Sequence, residues 1–347
     1  MQQTSTEHKV LFLTSTDGQQ TGRSGYAILK EYIPNSILLE AHRKPANTII
    51  KRLSDAIAAR ISLSSWSRRS SLKMEFKAYS ILIKQKIDII HYLWGDRDIS
   101  FMDFLKKKRN LKLVISLHNC ASMLDGTYNF PGRFKNFDAL ILMSKVQQPY
   151  FEKAGVPKEK IHVVLHGIDC DHFKPAIELK NENTFTLLSV GSWQRNFTIL
   201  SEICKRLEAV SDVKIVIISS SKFKYLFEGQ KHITFQSGLS NEDLLRAYQQ
   251  ASCFLMTADD ATANNALLEA LACGLPIVTE RIGGIPEYVN EKCALFSEDV
   301  DAFVKNILKI ANSKQLQKEM GLAARERAEE LDWRKSAIRI KEIYNQL

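Results

Sequence analysis

Short, continuously apolar runs alternate with amphipathic stretches along the whole chain, and this alternation fixes the fold class. The runs are Val10–Ser15, Ile37–Ala41, Ile89–Trp94, Leu113–His118, Ala139–Ser144 and Ile161–Leu165 in the first half. In the second half they are Thr186–Val190, Val213–Ser219, Ile233–Gln236, Cys253–Thr257, Pro276–Glu280 and Ala294–Ser297. Unbroken apolar runs suit strands covered on both faces. Helical patterns such as Leu200–Ala209, Glu242–Ala251 and Asn264–Cys273 lie between them. Repeated β-α alternation means parallel sheets with right-handed crossovers. Twelve strands exceed one typical sheet, and 347 residues suit two domains. The natural break is Asp171–Asn183, which is polar and carries Pro175. The expectation is an α/β chain of two Rossmann-like, doubly wound domains, 1–172 and 178–325, facing an inter-domain cleft. A terminal helical stretch, 326–347, is expected to cross back to the first domain.

Charge is concentrated. Residues 43–86 hold eleven basic and two acidic side chains, an excess equal to the whole chain's +9. The high pI therefore describes one segment, and no nucleic-acid-reading motif accompanies it, so no nucleic-acid partner is expected. Within that segment Ile50, Leu53, Ile57 and Ile61 fall on one helical face, with Lys51, Arg52 and Arg60 elsewhere. Two readings stay open: a face for anionic lipid, or a stripe packed on the first sheet. No run of about 18 apolar residues occurs and no signal peptide is evident, so a cytoplasmic protein, peripheral on the inner membrane face at most, is expected. The six cysteines show neither C-x-x-C nor zinc spacing and read as reduced, buried thiols.

The most informative stretch is Asp259–Gly284. A helix begins just after the strand Cys253–Thr257, with Thr262 or Asn264 as its cap. Gly274 and Pro276 end it, and a strand and the Gly283–Gly284 turn follow. The free N–H groups at Asn264, Asn265, Ala266 and Leu267 form a ready anion site, suited to a diphosphate. Glu269, one turn further in, suits a ribose diol. Upstream, Gly191 allows a sharp turn after a strand, and Arg195 is placed to hold phosphate oxygens.

The run L-L-E-A-L-A-C-G-L-P-I-V followed by G-G-I-P-E-Y-V resembles the donor-site core of retaining glycosyltransferases of the GT-B fold, family four (glycosyl transferases group 1). His162–Pro175 resembles that family's inter-domain segment, Ser237–Tyr248 its nucleotide-side turn and helix, and Trp333 and Tyr344 its closing helix. The resemblance implies an enzyme that moves a sugar from a nucleotide-sugar to a glycan, lipid-linked or other hydroxyl acceptor, with retention and without an enzymic nucleophile. It implies no cofactor beyond the nucleotide-sugar co-substrate. A GT-B-fold isomerase acting on the donor alone, or a non-catalytic nucleotide-sugar-binding relative, would share the same donor pocket.

Residue by residue, the resemblance assigns Glu269 to the ribose and Arg195 to the diphosphate. Gly191, Ser192, Gly238, Leu239, Asn264, Asn265, Ala266 and Leu267 complete the donor-binding set. Ser192 stands where an arginine is common, which removes one phosphate contact. The family's sugar-facing glutamate falls at Ala261, so Asp260, helped by the asparagines, is expected to take over that contact. His118 matches a histidine near the transferred sugar. Gly22, Ser24 and Gly25 lie in a loop resembling the one that reaches donor phosphate and acceptor. Three D-x-D spacings occur, at Asp96–Asp98, Asp169–Asp171 and Asp299–Asp301. They sit in unrelated contexts, and no metal is expected.

Overall fold

The computed structural model describes residues 8–16, 23, 25–42, 48–105, 110–176, 184–210 and 213–347. Its architecture is α/β, with two six-stranded sheets whose strand pairs are all parallel. Every apolar run named above contains a strand. In the first sheet these are β1 (Val10–Thr16), β2 (Ser36–His42), β3 (Ile89–Tyr92), β4 (Lys112–Leu117), β5 (Ala139–Leu142) and β6 (Ile161–Val163). In the second they are β7 (Thr186–Val190), β8 (Lys214–Ile218), β9 (Ile233–Gln236), β10 (Cys253–Met256), β11 (Ile277–Thr279) and β12 (Ala294–Phe296). Several end sooner than the apolar run does. The run Ile89–Trp94 stops as a strand at Tyr92, and Trp94 leads into the Gly95–Asp98 turn.

The helices of eight residues or more are α1 (Ile49–Ile61), α2 (Arg69–Lys84), α3 (Phe197–Val210), α4 (Asn241–Gln250), α5 (Asn265–Ala272), α6 (Val300–Ala311), α7 (Lys314–Glu330) and α8 (Trp333–Asn345). The chain divides into two compact units. One is Met1–His166 with Trp333–Leu347, and the other is Gly167–Asp332.

In the first unit the strand order is β2-β1-β3-β4-β5-β6. Leu11, Leu13, Ile90, Tyr92, Leu113 and Ile115 are buried in its core with Met74, Ala78 and Leu82 of α2. Each such apolar side chain contributes roughly 1.5–3 kcal/mol relative to leaving it in water. Helix α8 adds Trp333, Ile340 and Tyr344, all buried. The Tyr344 hydroxyl lies 2.6 Å from Nδ1 of His91, whose Nε2 is 2.7 Å from the Ser116 hydroxyl.

In the second unit the order is β12-β11-β10-β7-β8-β9. Its core joins Leu187, Ile215, Ile217 and Leu255 to Leu200, Ile203 and Leu207 of α3 and to Phe303 and Ile307 of α6. All six cysteines of the chain are buried, and none is in a disulfide.

Both sheets reverse direction of growth once. In the first, the chain builds β2 on one side of β1 and then places β3 on the other; in the second, β8 and β9 grow from β7 before β10 is laid on its opposite side. Ligands of doubly wound sheets bind beyond the carboxyl ends of the strands at such reversals. The segments that matter are therefore those after β1 and β3, and those after β7 and β10.

Candidate functional site

In the second unit, the segments after β7 and β10 meet. Gly191 leaves β7 with φ +106°, a conformation that favours glycine. A Cβ there would lie 3.0 Å from Nη2 of Arg195, so the glycine also makes room for that side chain. Arg195 pairs with Ala258 in an isolated antiparallel bridge, and only 7% of it is exposed.

Its guanidinium is turned inward. Nε and Nη2 donate to Val190 O at 3.2 and 2.9 Å, and Nη2 also donates to Asn264 Oδ1 at 2.9 Å. Sequence reasoning aimed Arg195 outward at phosphate; the structure instead uses much of its fork to tie the β7 turn to the start of α5. Burial brings its pKa down to about 10, which leaves it charged at neutral pH.

Asn264, rather than Thr262, caps α5. Its Oδ1 accepts from Leu267 N at 3.1 Å as well as from Arg195. Asn265, Ala266 and Leu267 form the first turn of that helix, with Asn265 half-buried and the other two buried. Thus a capped helix start, with its partial positive charge, lies directly beside a buried arginine.

Glu269 is 4% exposed, so it is not a solvent-facing helix residue. Its Oε2 accepts from the Tyr248 hydroxyl of α4 at 2.7 Å. Burial, and then the charge of Glu269, push the Tyr248 phenol well above its ordinary range, so it stays a donor.

Asp260 is half-buried, and its Oδ1 accepts from the adjacent Ala261 N at 2.7 Å. The Gly283–Gly284 turn closes on this loop, with Gly284 N donating to Ala261 O at 2.8 Å. Gly283 has φ +48°, and a Cβ on it would come within 2.2 Å of Ala261 O and 2.5 Å of Asp260 Oδ1. Only glycine permits that approach.

Ser192 is held by its own neighbourhood. Its hydroxyl is 2.8 Å from Ser219 Oγ and accepts from Ser220 N at 3.0 Å. Gly238 and Leu239 follow β9, at the far edge of the sheet, with Gly238 at φ +67°.

In the first unit the corresponding segments also meet. His118 follows β4 instead of ending it. Its ring stacks on Trp94, centroids 4.1 Å apart and planes 22° from parallel, and the Arg97 guanidinium lies 4.7 Å from the Trp94 ring centre. Nε2 of His118 is 2.7 Å from Leu93 O. A carbonyl only accepts, so Nε2 carries the proton and Nδ1 is left as an acceptor. Burial pulls the pKa down to about 3, so the ring is neutral. Tyr26 packs edge-on to His118 at 4.9 Å, to Trp333 at 5.0 Å and to His166 at 5.4 Å. Gly25 immediately precedes this tyrosine. Gly22 and Ser24 lie outside the described residues.

The Gly95–Asp98 turn organises this end. Asp96 accepts from the backbone N–H of His118 at 2.6 Å and of Asn119 at 3.2 Å, and from the Tyr128 hydroxyl at 2.6 Å. Asp98 accepts from Ser15 N at 2.7 Å, and Arg97 Nη2 donates to Ser15 O at 2.6 Å. These aspartates hold loops in place. Asp169 accepts from Asp171 N and His172 N in a tight turn, and Asp299 caps α6 through Ala302 N. Among the described residues no three His, Cys, Asp or Glu side chains are grouped as a cation site needs.

Tyr26, Trp94 and Glu280 were not expected in these sites from the sequence, and Asp96 and Tyr248, which lie in segments already singled out, were not assigned these contacts. Trp94 and Glu280 carried one usable signal, their position just past a strand. Glu280 follows β11, accepts from Ala258 N at 3.3 Å, and has its pKa raised by burial to about 7.

The apolar stripe of α1 faces outward. Ile50, Leu53, Ile57 and Ile61 are between 51% and 80% exposed, so the alternative of a stripe packed on the first sheet is wrong. Helix α2 covers that sheet instead, packing on β1 and β2. No helix among the described residues is long and apolar enough to cross a membrane.

Known proteins bear on this geometry. The profile of the glycosyl transferases group 1 matches residues 171–327, and that of glycosyltransferase family 4 matches residues 8–172. The chain is 27% identical over 303 residues to a sulfoquinovosyl transferase of Arabidopsis thaliana, covering 78% of this chain and 59% of that one. It is 22% identical to an uncharacterized glycosyltransferase of Methanocaldococcus jannaschii, covering 77% of this chain and 78% of that one. The chain thus spans less than two thirds of the plant protein's length. Among solved structures, Anabaena HepE in complex with UDP and glucose superposes with a TM-score of 0.73 at 15% identity, over 98% of this chain and 100% of that one. A glycosyltransferase from Rickettsia africae superposes with a TM-score of 0.72 at 16% identity, over 98% of each chain. The two profiles run end to end across nearly the whole chain, and the fold agrees with both: the chain belongs to the group 1 glycosyltransferases of the GT-B fold.

Proposed function

We propose that this protein transfers a sugar from a nucleotide-sugar to a hydroxyl acceptor, with retention of anomeric configuration. The observation that carries the reading is the capped start of α5 beside the buried, charged Arg195, at the direction reversal of the second sheet. The partial positive charge of the helix start and the fixed charge of Arg195 there stabilise a leaving diphosphate as the sugar becomes oxocarbenium-like. Glu269, held by Tyr248, accepts from the ribose hydroxyls. The donor-binding set runs through Gly191, Ser192, Arg195, Gly238, Leu239 and Asn264–Leu267, with Glu269 beyond.

UDP is the first nucleotide to try, because the similar structures of HepE were solved with UDP, UDP-glucose, or UDP and glucose. Neutral His118, with Nδ1 as an acceptor, takes a hydroxyl of the transferred sugar. Asp260 takes over the sugar contact of the carboxyl missing at Ala261. No metal and no cofactor beyond the co-substrate are invoked.

The test is a thermal-shift screen of UDP, GDP and ADP and their sugars, then transfer to an acceptor with the product anomer read by NMR. An inverted product removes retention. Turnover of the donor alone to an isomer favours the isomerase reading, and binding without turnover or hydrolysis favours a non-catalytic relative.

The outward stripe of α1 supports a second element of the proposal. Exposed Ile50, Leu53, Ile57 and Ile61, flanked by exposed Arg52 and Arg60, suit an anionic membrane surface carrying a lipid-linked or surface glycan acceptor.

A further inference from the structure

The donor-site reading, on which this inference rests, leaves one carboxyl without a task. Glu280 directly follows Thr279, the last residue of β11, at the carboxyl edge of the second sheet. Its Oε2 accepts from Ala258 N at 3.3 Å. Its Oε1 is shut off from solvent and has no hydrogen-bond partner among the described residues. Buried carboxylate oxygens are ordinarily satisfied, and one that is not destabilises the ionised form until a proton or a ligand completes it.

The charges around Glu280 sharpen this. Burial raises its pKa to about 7 against the backbone N–H groups of Glu280 itself and of Ala258 and then Arg195, which lower it, and Asp259 raises it. Arg281, the next residue, is turned away: it pairs with Glu291 at 2.5 Å and lies over the Phe296 ring. Asp259 accepts from the Asn196 side chain at 2.7 Å, and Tyr248, whose hydroxyl is given to Glu269, faces Arg195 from α4. Elsewhere in this loop the usual sugar-facing carboxyl is missing at Ala261, and Asp260 Oδ1 already accepts from Ala261 N.

We propose that Glu280 binds the donor as a carboxylic acid, its side chain turning to bring Oε1–H out of its closed position and onto an oxygen of the diphosphate-sugar. Oε2 is already occupied by the Ala258 N–H, so the proton goes to Oε1. It comes from solvent as the donor binds and returns there when the product leaves. A diphosphate brings two negative charges to the start of α5. An ionised Glu280 would repel them, and a protonated one adds a donor. Binding is then linked to uptake of a proton and tightens as pH falls.

The test is isothermal titration calorimetry on the full chain with UDP-glucose, GDP-mannose and ADP-glucose. Their phosphates are diesters and hold constant charge across this range, so any proton taken up belongs to the protein. With Glu280 titrating at about 7 and protonated when bound, affinity is about tenfold weaker at about pH 8 than at about pH 6. Comparing buffers of different ionisation enthalpy should show uptake approaching one proton at the higher pH. Glu280→Gln keeps an N–H donor at the same place. It should bind with the wild type's low-pH affinity at both pH values and take up no proton, while Glu280→Ala should bind weakly at both. Thermal melts confirm that each variant is folded. A wild type with pH-independent affinity, or a Glu280→Gln that retains the pH dependence, overturns the proposal. If none of the three nucleotide-sugars binds at either pH, the donor-site reading falls and takes this one with it. If one binds without proton uptake, only the role of Glu280 falls.

Discussion

The Tyr248 hydroxyl donates to Glu269 Oε2 across 2.7 Å, and both side chains are almost wholly buried. The bond ties α4 to α5 and fixes the carboxylate that the donor reading gives to the ribose. Tyr248→Phe removes one donor from a buried acceptor and should lower stability by about 1–3 kcal/mol. Urea denaturation measures that loss. Calorimetry with the bound nucleotide should show affinity falling in parallel. An unchanged affinity would separate Glu269 from nucleotide binding.

Arg195 and Asn264 act as a pair. Lysine keeps the charge at 195 but cannot reach Val190 O and Asn264 Oδ1 with one planar fork. Arg195→Lys should therefore weaken donor binding by about tenfold, or about 1.4 kcal/mol. Asn264→Ala loses the α5 cap and should cost about 1 kcal/mol of stability. Because they share a hydrogen bond, the double variant should lose less stability than the sum of the two single variants' stability losses. Strict additivity would mean the pair is not coupled.

Gly283 permits a contact no other residue allows. A Cβ 2.2 Å from Ala261 O must push the 260–261 loop away, and φ +48° adds strain. Gly283→Ala should reduce transfer by about 100-fold, as expected when a reacting group is misplaced by about 1 Å. Thermal shift should show the fold retained. Wild-type kinetics in this variant would detach the loop from the reaction.

His118 should not appear in the pH–rate profile. Its folded pKa of about 3 keeps it neutral across the working range. The profile of His118→Asn should thus be lower than wild type but of the same shape between about pH 5 and pH 9. Stability carries the signature instead. Burial holds His118 and His91 at about 3 in the folded chain, against an ordinary value of 6.5. Between those limits the unfolded chain binds protons the folded chain does not, so stability rises with pH. Each histidine contributes about 1.4 kcal/mol per pH unit there, and the contribution is lost as pH falls toward 3. Denaturation at several acidic pH values, with His118→Asn as control, reads this slope.

The α1 face gives a test independent of turnover. Replacing Ile50, Leu53 and Ile57 together by aspartate should abolish co-sedimentation with vesicles containing anionic lipid. The fold should survive, since these side chains are exposed. Wild-type binding should weaken with added salt and on purely zwitterionic vesicles. Equal sedimentation of wild type and variant removes the membrane reading.

Much of this protein follows from local pattern. The runs Thr186–Val190 and Ile233–Gln236 are strands with the boundaries their composition predicts; the first is buried along most of its length and the second, at the sheet edge, only in part. Asn264 as a cap and Gly191 at positive φ are likewise local, each demanded by the backbone of its own turn. What pattern could not determine was which side chains meet. The periodicity of α1 marked an apolar face but not its direction; that depended on α2 occupying the face of β1 and β2. Asp96 and Asp98 share a D-x-D spacing, and what they do as loop anchors was not legible in it, because their acceptors meet the backbone N–H groups of Ser15, His118 and Asn119. Glu280 read as a strand-end acid. Its nearness to Arg195 arises only because the second sheet lays β10 and β11 beside β7 out of chain order. The segment Asp259–Gly284 thus declared its helix, cap and glycines by itself. Its electrostatics, with Arg195 turned inward and Glu280 set against it, required the sheet, since a charge's environment is made by residues distant in sequence.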